Sequence, residues 1–403
     1  MRSFKRMLRY HRRVAALRQF RYSSLSTASS WLLSTAHESL VHFKASDAAS
    51  TDVRIRPVIG ANDLKLRVVD QSNEMERFFS IVSDAEKLCI EKISDEKVTL
   101  ELVLPYRVNL HVSVANGSVS MVDKIEGDVN VVVGHGDIAV QKVRGSTVKL
   151  KTNGGKIDIS ELVEGENVRL EARDGVKCQK LLAAAAEVKL GKGEWDSEFG
   201  AVYASTCTIV SSHPSHLSTL RVGNVHGYLR VAGEGLKRVQ VDSVTGDLTV
   251  EDSGDKCDVT AHFDSWTPDS ASSILVGGNV RVSLHPAAPI HTELHGARIT
   301  IGQDCEFRSS EMDQLDEDYA IFTGELQPQE IVAASLSSGK INVDSAKDDA
   351  MRTSFFMKPT SSDRYDEREE SKTPRLFVHS LCGEVSLEQL NWMDNIKRKH
   401  LKR

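Results

Sequence analysis

From about residue 96 onward the chain alternates apolar and polar residues in short bursts, and a glycine separates one burst from the next. Residues 98–104 form the first strong burst, stopped by Pro105, and residues 108–114 follow until Asn116-Gly117 turns the chain. The same unit returns as Val148-Lys149-Leu150, Ile157-Asp158-Ile159, Val168-Arg169-Leu170 and Val188-Lys189-Leu190. It returns later as Leu229-Arg230-Val231, Val239-Gln240-Val241 and Leu248-Thr249-Val250. A period of two sends one set of side chains inward and the other toward water, which is the signature of a strand. The glycines at 117, 127, 136, 145, 155, 165 and 175 are separated by 10, 9, 9, 10, 10 and 10 residues. Strands this short bury too little surface alone, and stacking them gives a continuous core.

The pattern therefore predicts an all-β fold: a right-handed parallel β-helix or β-solenoid of short strands. One strand plus one corner takes about ten residues, and two or three such units make a coil. A β-sandwich, which also shows short strands at even spacing, is the competing architecture. The rhythm slips near Gly191 and Gly200, where Trp195 and Phe199 enter, and again over 211–218. It resumes at Gly227 and Gly246, with echoes at Ser338-Gly339-Lys340-Ile341 and Cys382-Gly383-Glu384-Val385.

Along the chain this predicts a leader and linker over 1–40, capping strands over 60–105 and solenoid repeats over 106–345. An insertion without apolar period follows over 346–375, then a last strand and end cap over 376–392, and a basic tail over 393–403. Valine recurs while aromatics make up only 6%, consistent with a core of β-branched side chains. No apolar run approaches the roughly 18–20 residues of a membrane-spanning helix, so no transmembrane segment is expected.

Charge adds a cellular address. Eight Lys and Arg precede the first acidic residue, Glu38. At 100° per residue Phe4, Met7, Leu8, Val14 and Ala15 fall on one side of a helix, and Arg2, Lys5, Arg6, Arg9, Arg12 and Arg13 on the other. A Ser/Thr-rich stretch, 23–30, follows. Arg-rich, Ser-rich and acid-free is the composition of a mitochondrial transit peptide, with a processing boundary near Tyr22-Ser23 and the matrix as destination. A secretory signal would need an apolar core that is absent, and a basic arm is the remaining competitor. The 51 basic and 57 acidic residues give −6; without those eight, 43 against 57 leave −14. So acidic a protein is a poor ligand for nucleic-acid phosphates.

Candidate chemistry is sparse. Gly134-His135-Gly136 lacks a third glycine and precedes a strand, which excludes a dinucleotide loop. Gly134-His135-Gly136-Asp137 also departs from the GGxGxD repeat of calcium β-rolls. Asp128, Asp137, Asp158 and Asp247 form an acidic series, but Asp after Gly commonly completes a turn. A glycan hydrolase would need two of them paired in a groove. His291 and His295 stand four apart with Cys305 beyond, yet Pro286 and Pro289 argue for loop and strand rather than a metal-binding helix. Ser211-Ser212-His213-Pro214-Ser215-His216 has no nucleophile elbow. The closest cysteines, Cys178 and Cys207, are 29 apart, so Cys89, Cys178, Cys207, Cys257, Cys305 and Cys382 are expected as reduced thiols. No catalytic residue, cofactor-binding residue or metal ligand is nominated.

Two stretches carry a family likeness: Leu100-Glu101-Leu102-Val103-Leu104-Pro105-Tyr106-Arg107-Val108-Asn109-Leu110, and Val114-Ala115-Asn116-Gly117-Ser118-Val119. They resemble the entry to the "putative adhesin" repeat domain of unknown function. Val222-Gly223-Asn224-Val225-His226-Gly227-Tyr228-Leu229-Arg230 and Val244-Thr245-Gly246-Asp247-Leu248-Thr249-Val250 resemble its later coils. The resemblance covers about 60–345 and resumes at the last strand. The whole chain, leader included, is similar to uncharacterised animal proteins of the "family with sequence similarity 185, member A" type. This implies a β-helical fold and offers no reaction, cofactor or site residue to carry over. A mitochondrial address also runs against surface adhesion.

The expectation is a non-catalytic scaffold that binds a protein partner. A groove enzyme or binder acting on a glycan-like polymer is the alternative, and membrane-surface attachment through 397–403 a third.

Overall fold

The computed structural model describes residues 30–34, 40–46, 49–60, 63–69, 75–83, 87–192, 196–211, 218–287, 289–328, 373–390 and 394. Of the leader and linker expected over 1–40 all but 30–34 and 40 lies outside these residues, as do the echo expected at 338–341, the body of the 346–375 insertion and nearly all of the 393–403 tail. The chain winds into a parallel β-solenoid, not a sandwich, with two strands per coil stacked in two columns. Asn109–Asn116, Val129–His135 and Thr147–Thr152 pair in parallel in the first column. Val119–Glu126, Ile138–Arg144 and the start of Ile157–Ala172 do so in the second. From Ile157 to Asp252 the two strands of a coil join into one bent strand that serves both columns.

Alternation becomes a ladder because each coil repeats the last in register. In the first column Val129, Val148, Val168, Ala186, Cys207, Leu229 and Leu248 lie side by side, all buried. In the second, Ile138, Ile157 and Val176 do the same. Each fully buried aliphatic side chain contributes about 1.5–3 kcal/mol of transfer free energy, which is why a core this poor in rings suffices. The slips near Gly191 and 211–218 are longer coils. Cys178 pairs with Phe199 and Phe199 with Val222, against Ile138 with Ile157.

Polar side chains stitch the corners. At several corners a residue at or next to the start of a strand turns its side-chain oxygen onto the backbone N–H of the equivalent residue one coil on. Asp52 Oδ1 accepts from Ser118 N at 2.9 Å, and Asn109 Oδ1 from Asp128 N at 2.8 Å. Asp128 Oδ1 in turn accepts from Thr147 N at 2.8 Å, and Asp137 Oδ1 from Lys156 N at 3.0 Å. Asp258 to Asn279 and Asn279 to Glu384 continue the series.

Stack order departs from chain order at both ends. Leu40–Ala45 lies between Lys87–Lys92 and Asn109–Asn116, and Thr51–Val58 between Val98–Pro105 and Val119–Glu126. The solenoid thus includes residues well before 106. Beyond Val98–Pro105, Asp63–Val69 and Ser30–Ser34 add antiparallel. At the other end Arg375–Ser380 inserts between Ala271–Val276 and Ile290–Gly296, and Glu384–Gln389 between Val280–Leu284 and Arg298–Ile301. Within the segment expected as last strand and end cap, residues 376–389 therefore form an interior coil. The end itself is an antiparallel hairpin, Phe307–Asp316 with Tyr319–Leu326, paired to Ile290–Gly296. The physical reason is that coil 290–301 has an outward-facing free edge only on the far side once 375–389 has filled the near one.

Candidate functional site

Outward side chains of the first column form rows along the stack, in which charged pairs recur through the middle coils, interrupted by Thr208, Val210 and Ala232. Lys151 meets Glu171 at 2.6 Å, Arg230 meets Glu251 at 2.7 Å, and Arg169 pairs with Glu187. The Glu187 carboxyl sits below its usual range because Lys189 and then Arg169 hydrogen-bond it. Pairs this exposed are worth at most about 1 kcal/mol each, so this stretch is a solvated face.

At the out-of-order coil the row changes character. Glu251 stands beside Leu275, Leu275 beside His379, His379 beside His295, and His295 beside Ile321. One row over, Ser273, Phe377 and Glu293 are neighbours. The sequence places these groups outward simply by alternation: in Leu376-Phe377-Val378-His379, Leu376 and Val378 are buried, and Phe377 and His379 face out. His295 lies 5.3 Å from the Phe377 ring and 5.4 Å from His379, ring centre to centre. Its Nδ1 is 2.8 Å from the Tyr319 hydroxyl and its Nε2 2.9 Å from Glu293 Oε1. With Nε2–H donating to the carboxylate, Nδ1 is left to accept from the Tyr319 hydroxyl. Burial first, and the neighbouring His295 second, push His379 below the usual imidazole range. Leu275 is 39% exposed beside them. A groove of about 770 Å³ runs past this cluster, lined by Ser273, His291, Glu293, Glu325, Arg375 and Phe377.

The second column has its own groove, about 940 Å³, where the lining includes Arg221, Gln240, Thr260, Arg281, Thr300 and Ser386. His262 forms part of its floor. His262 Nδ1 is 2.9 Å from Ser283 Oγ, Nε2 is 3.0 Å from Asp264 Oδ1, and Ser243 donates to Asp264. Burial raises the Asp264 carboxyl, but bonds from His262 and Ser243 more than offset this and its pKa is lowered. The trio has the residue types of a hydrolase triad. Ser283 is 0% exposed, however, so its hydroxyl meets no substrate, and the network holds three strands together instead. Sequence reading missed it. The signal was polar residues at outward positions, His262 and Ser283, that fall opposite one another once coils are written in register.

The residues singled out from sequence do not converge. Asp128 and Asp247 sit at corners entering the first column, where Asp247 Oδ1 accepts from Ala271 N at 3.2 Å. Asp137 sits at the opposite corner, and Asp158 faces outward beside Lys177. Three of the four are backbone acceptors, which is the turn role and not an acid/base pair. Asp137→Asn, which keeps the acceptor oxygen, should unfold within about 0.5 kcal/mol of wild type in urea, and Asp137→Ala should lose about 1 kcal/mol. His291 and His295 do share a strand face, but Cys305 lies over the other column with Sγ 3.9 Å from Leu387 O. Among the described residues no three His, Cys, Asp or Glu side chains are placed to hold a metal. Residues 212–217, with His213 and His216, lie outside the described residues. All six cysteines are free. Burial pushes Cys178, Cys207 and Cys257 to about 12, far from thiolate reactivity. No described helix is long and apolar enough to cross a membrane.

A family profile described as Toastrack DUF4097 matches residues 34–265. No curated protein matches the chain. Among solved structures, a "putative adhesin" from Bacteroides fragilis NCTC 9343 is 12% identical, covering 55% of this chain and 95% of that one, with a TM-score of 0.26. One from Parabacteroides merdae ATCC 43184 is 13% identical, covering 64% and 88%, also with a TM-score of 0.26. A "putative cell adhesion protein" from Clostridium sporogenes ATCC 15579 is 8% identical, covering 90% and 99%, with a TM-score of 0.16. Likenesses this distant carry no function across.

Proposed function

The chain belongs to the Toastrack DUF4097 family, and on that premise we propose that it is a non-catalytic scaffold for a protein partner, delivered to the mitochondrial matrix. One observation carries the scaffold reading: past the Arg230–Glu251 pair the outward face of the first column carries Leu275, Phe377, His379, His295 and Tyr319 together. Partly buried aromatics with polar handles, flanked by a polar rim, are the usual anchors of a protein interface. The acid-free amphipathic leader supports the address.

The test is co-purification of C-terminally tagged protein after mild cross-linking in cells, with partners identified by mass spectrometry. Wild type should bring down one recurrent stoichiometric mitochondrial protein. Leu275→Asp with Phe377→Ser should lose it at least tenfold while melting close to wild type, since both side chains face out. A solitary wild-type protein, or a partner retained by the double variant, would sink the scaffold reading at this patch. The glycan-polymer alternative then returns, with the second-column groove as its seat.

A further inference from the structure

Among the described residues, the terminal hairpin leaves one strand edge without a partner strand. Phe307–Asp316 pairs along one side with Tyr319–Leu326, and among the described residues its other side pairs with no strand. Nine of its ten residues are exposed. Such an edge presents unpaired N–H and C=O groups and is a template for one more strand. It is also charged with a single sign. Residues 304–318 hold seven carboxylates and one base, Arg308, which is paired with Glu325 at 3.2 Å.

Charge alone would serve to keep copies apart. Two apolar side chains do not fit that purpose: Met312 is 50% exposed and Leu315 64%. Alternation sorts the edge into two rows. Glu311 and Asp313 stand opposite Thr323 and Ile321 on the outer side, and Met312 stands opposite buried Phe322 on the core side. A strand laid along this edge would extend both rows, with cations over the carboxylates and an apolar side chain beside Met312.

We propose that the free edge of Phe307–Asp316 receives an extended segment of a protein partner in which Lys or Arg alternates with apolar residues. The proposal rests on the scaffold reading and names the partner's chemistry. A second copy of the chain would set seven carboxylates against seven, and like charges across strands are destabilising. Nucleic acid is repelled for the same reason. The chain's own segment 397–403 is basic, but Lys397-Arg398-Lys399-His400-Leu401-Lys402-Arg403 has one apolar residue and no alternation.

The experiment is fluorescence anisotropy of a labelled nine-residue peptide alternating Lys and Val, titrated with the purified full chain. Two further peptides carry N-methyl groups on the Lys amides or on the Val amides. Successive amides of a strand point to opposite sides, so one methylated phase should bind at least tenfold more weakly and the other about as well as the parent. Glu311→Lys with Asp313→Lys should also weaken binding at least tenfold without moving the melting temperature. Equal binding in both methylated phases would mean mere charge attraction and overturn the proposal, as would no binding at all. Binding that emerges only after 393–403 is removed would give the edge to the chain's own tail and overturn it too. Since the assay uses purified protein and a defined peptide, its failure leaves the cellular test of the Leu275–Phe377 patch unaffected.

Discussion

Gly136→Ala should cost roughly 3 kcal/mol or more, whereas Gly60→Ala should cost about 1–2 kcal/mol. Both glycines have positive φ, +140° and +78°, so both substitutions strain the backbone. They differ in what the new methyl meets. At Gly60 there is nothing within 4 Å. At Gly136 it would stand 2.1 Å from Gly117 O and 2.7 Å from Gly117 C, backbone atoms that no side-chain rotation can move. The corner cannot shift away either. Gly117 N donates to His135 O at 2.9 Å and Val119 N to Asp137 O at 3.0 Å, binding the turn on both sides of Gly136. The next corner is as tight, since a methyl group on Gly155 would stand 2.1 Å from Gly136 O. Urea unfolding of the two variants checks this. Midpoints that agree within error would mean that positive φ alone, and not coil-to-coil contact, fixes the corner glycines.

This dependence explains what sequence could and could not reveal. A ten-residue glycine rhythm is legible because every corner faces the same steric demand, and alternation is legible because every strand faces the same core. Asp128 and Asp137 were readable as turn residues on those grounds, though the partner of each, an N–H one coil away, was not. Long-range register is a different matter. Val280 pairs with Val259 on one side and Val385 on the other. Nothing local to Glu384-Val385-Ser386-Leu387 says whether it ends the stack or enters it, since an interior coil and a last coil have the same alternation. The outward patch around Phe377 and the His262–Ser283 contact arise from such lateral neighbours, so they stayed hidden although each residue was in plain sight. The Phe307–Asp316 strand escaped for the opposite reason. Exposed on both faces, it carries no apolar period to detect.

Breaking the inserted coil should detach the end of the stack while sparing its middle. Val378 and Leu387 are 0% and 1% exposed, Val378 between Ile274 and Leu294, and Leu387 between Val282 and Ile301. Val378→Asp with Leu387→Asp puts an unpaired carboxylate into each column, at a cost on the order of 4 kcal/mol or more. In a solenoid each coil is held mainly by its neighbours, so that cost falls locally. Hydrogen exchange should then accelerate at least a hundredfold over Ile290–Gly296, Arg298–Ile301 and the hairpin they carry. Amides of Ile157–Ala172 and Val176–Leu190 should exchange as in wild type. A competing outcome has a physical basis. Because alternation is the same in every coil, Ile290–Gly296 can pair directly with Ala271–Val276 if the inserted strands are expelled, keeping its apolar side chains inward. Protection retained over Ile290–Ile301 in the double variant would therefore reveal a chain with two stable stack orders. Protection lost there, with the middle coils intact, would make residues 375–389 the element that holds the hairpin and both grooves in place.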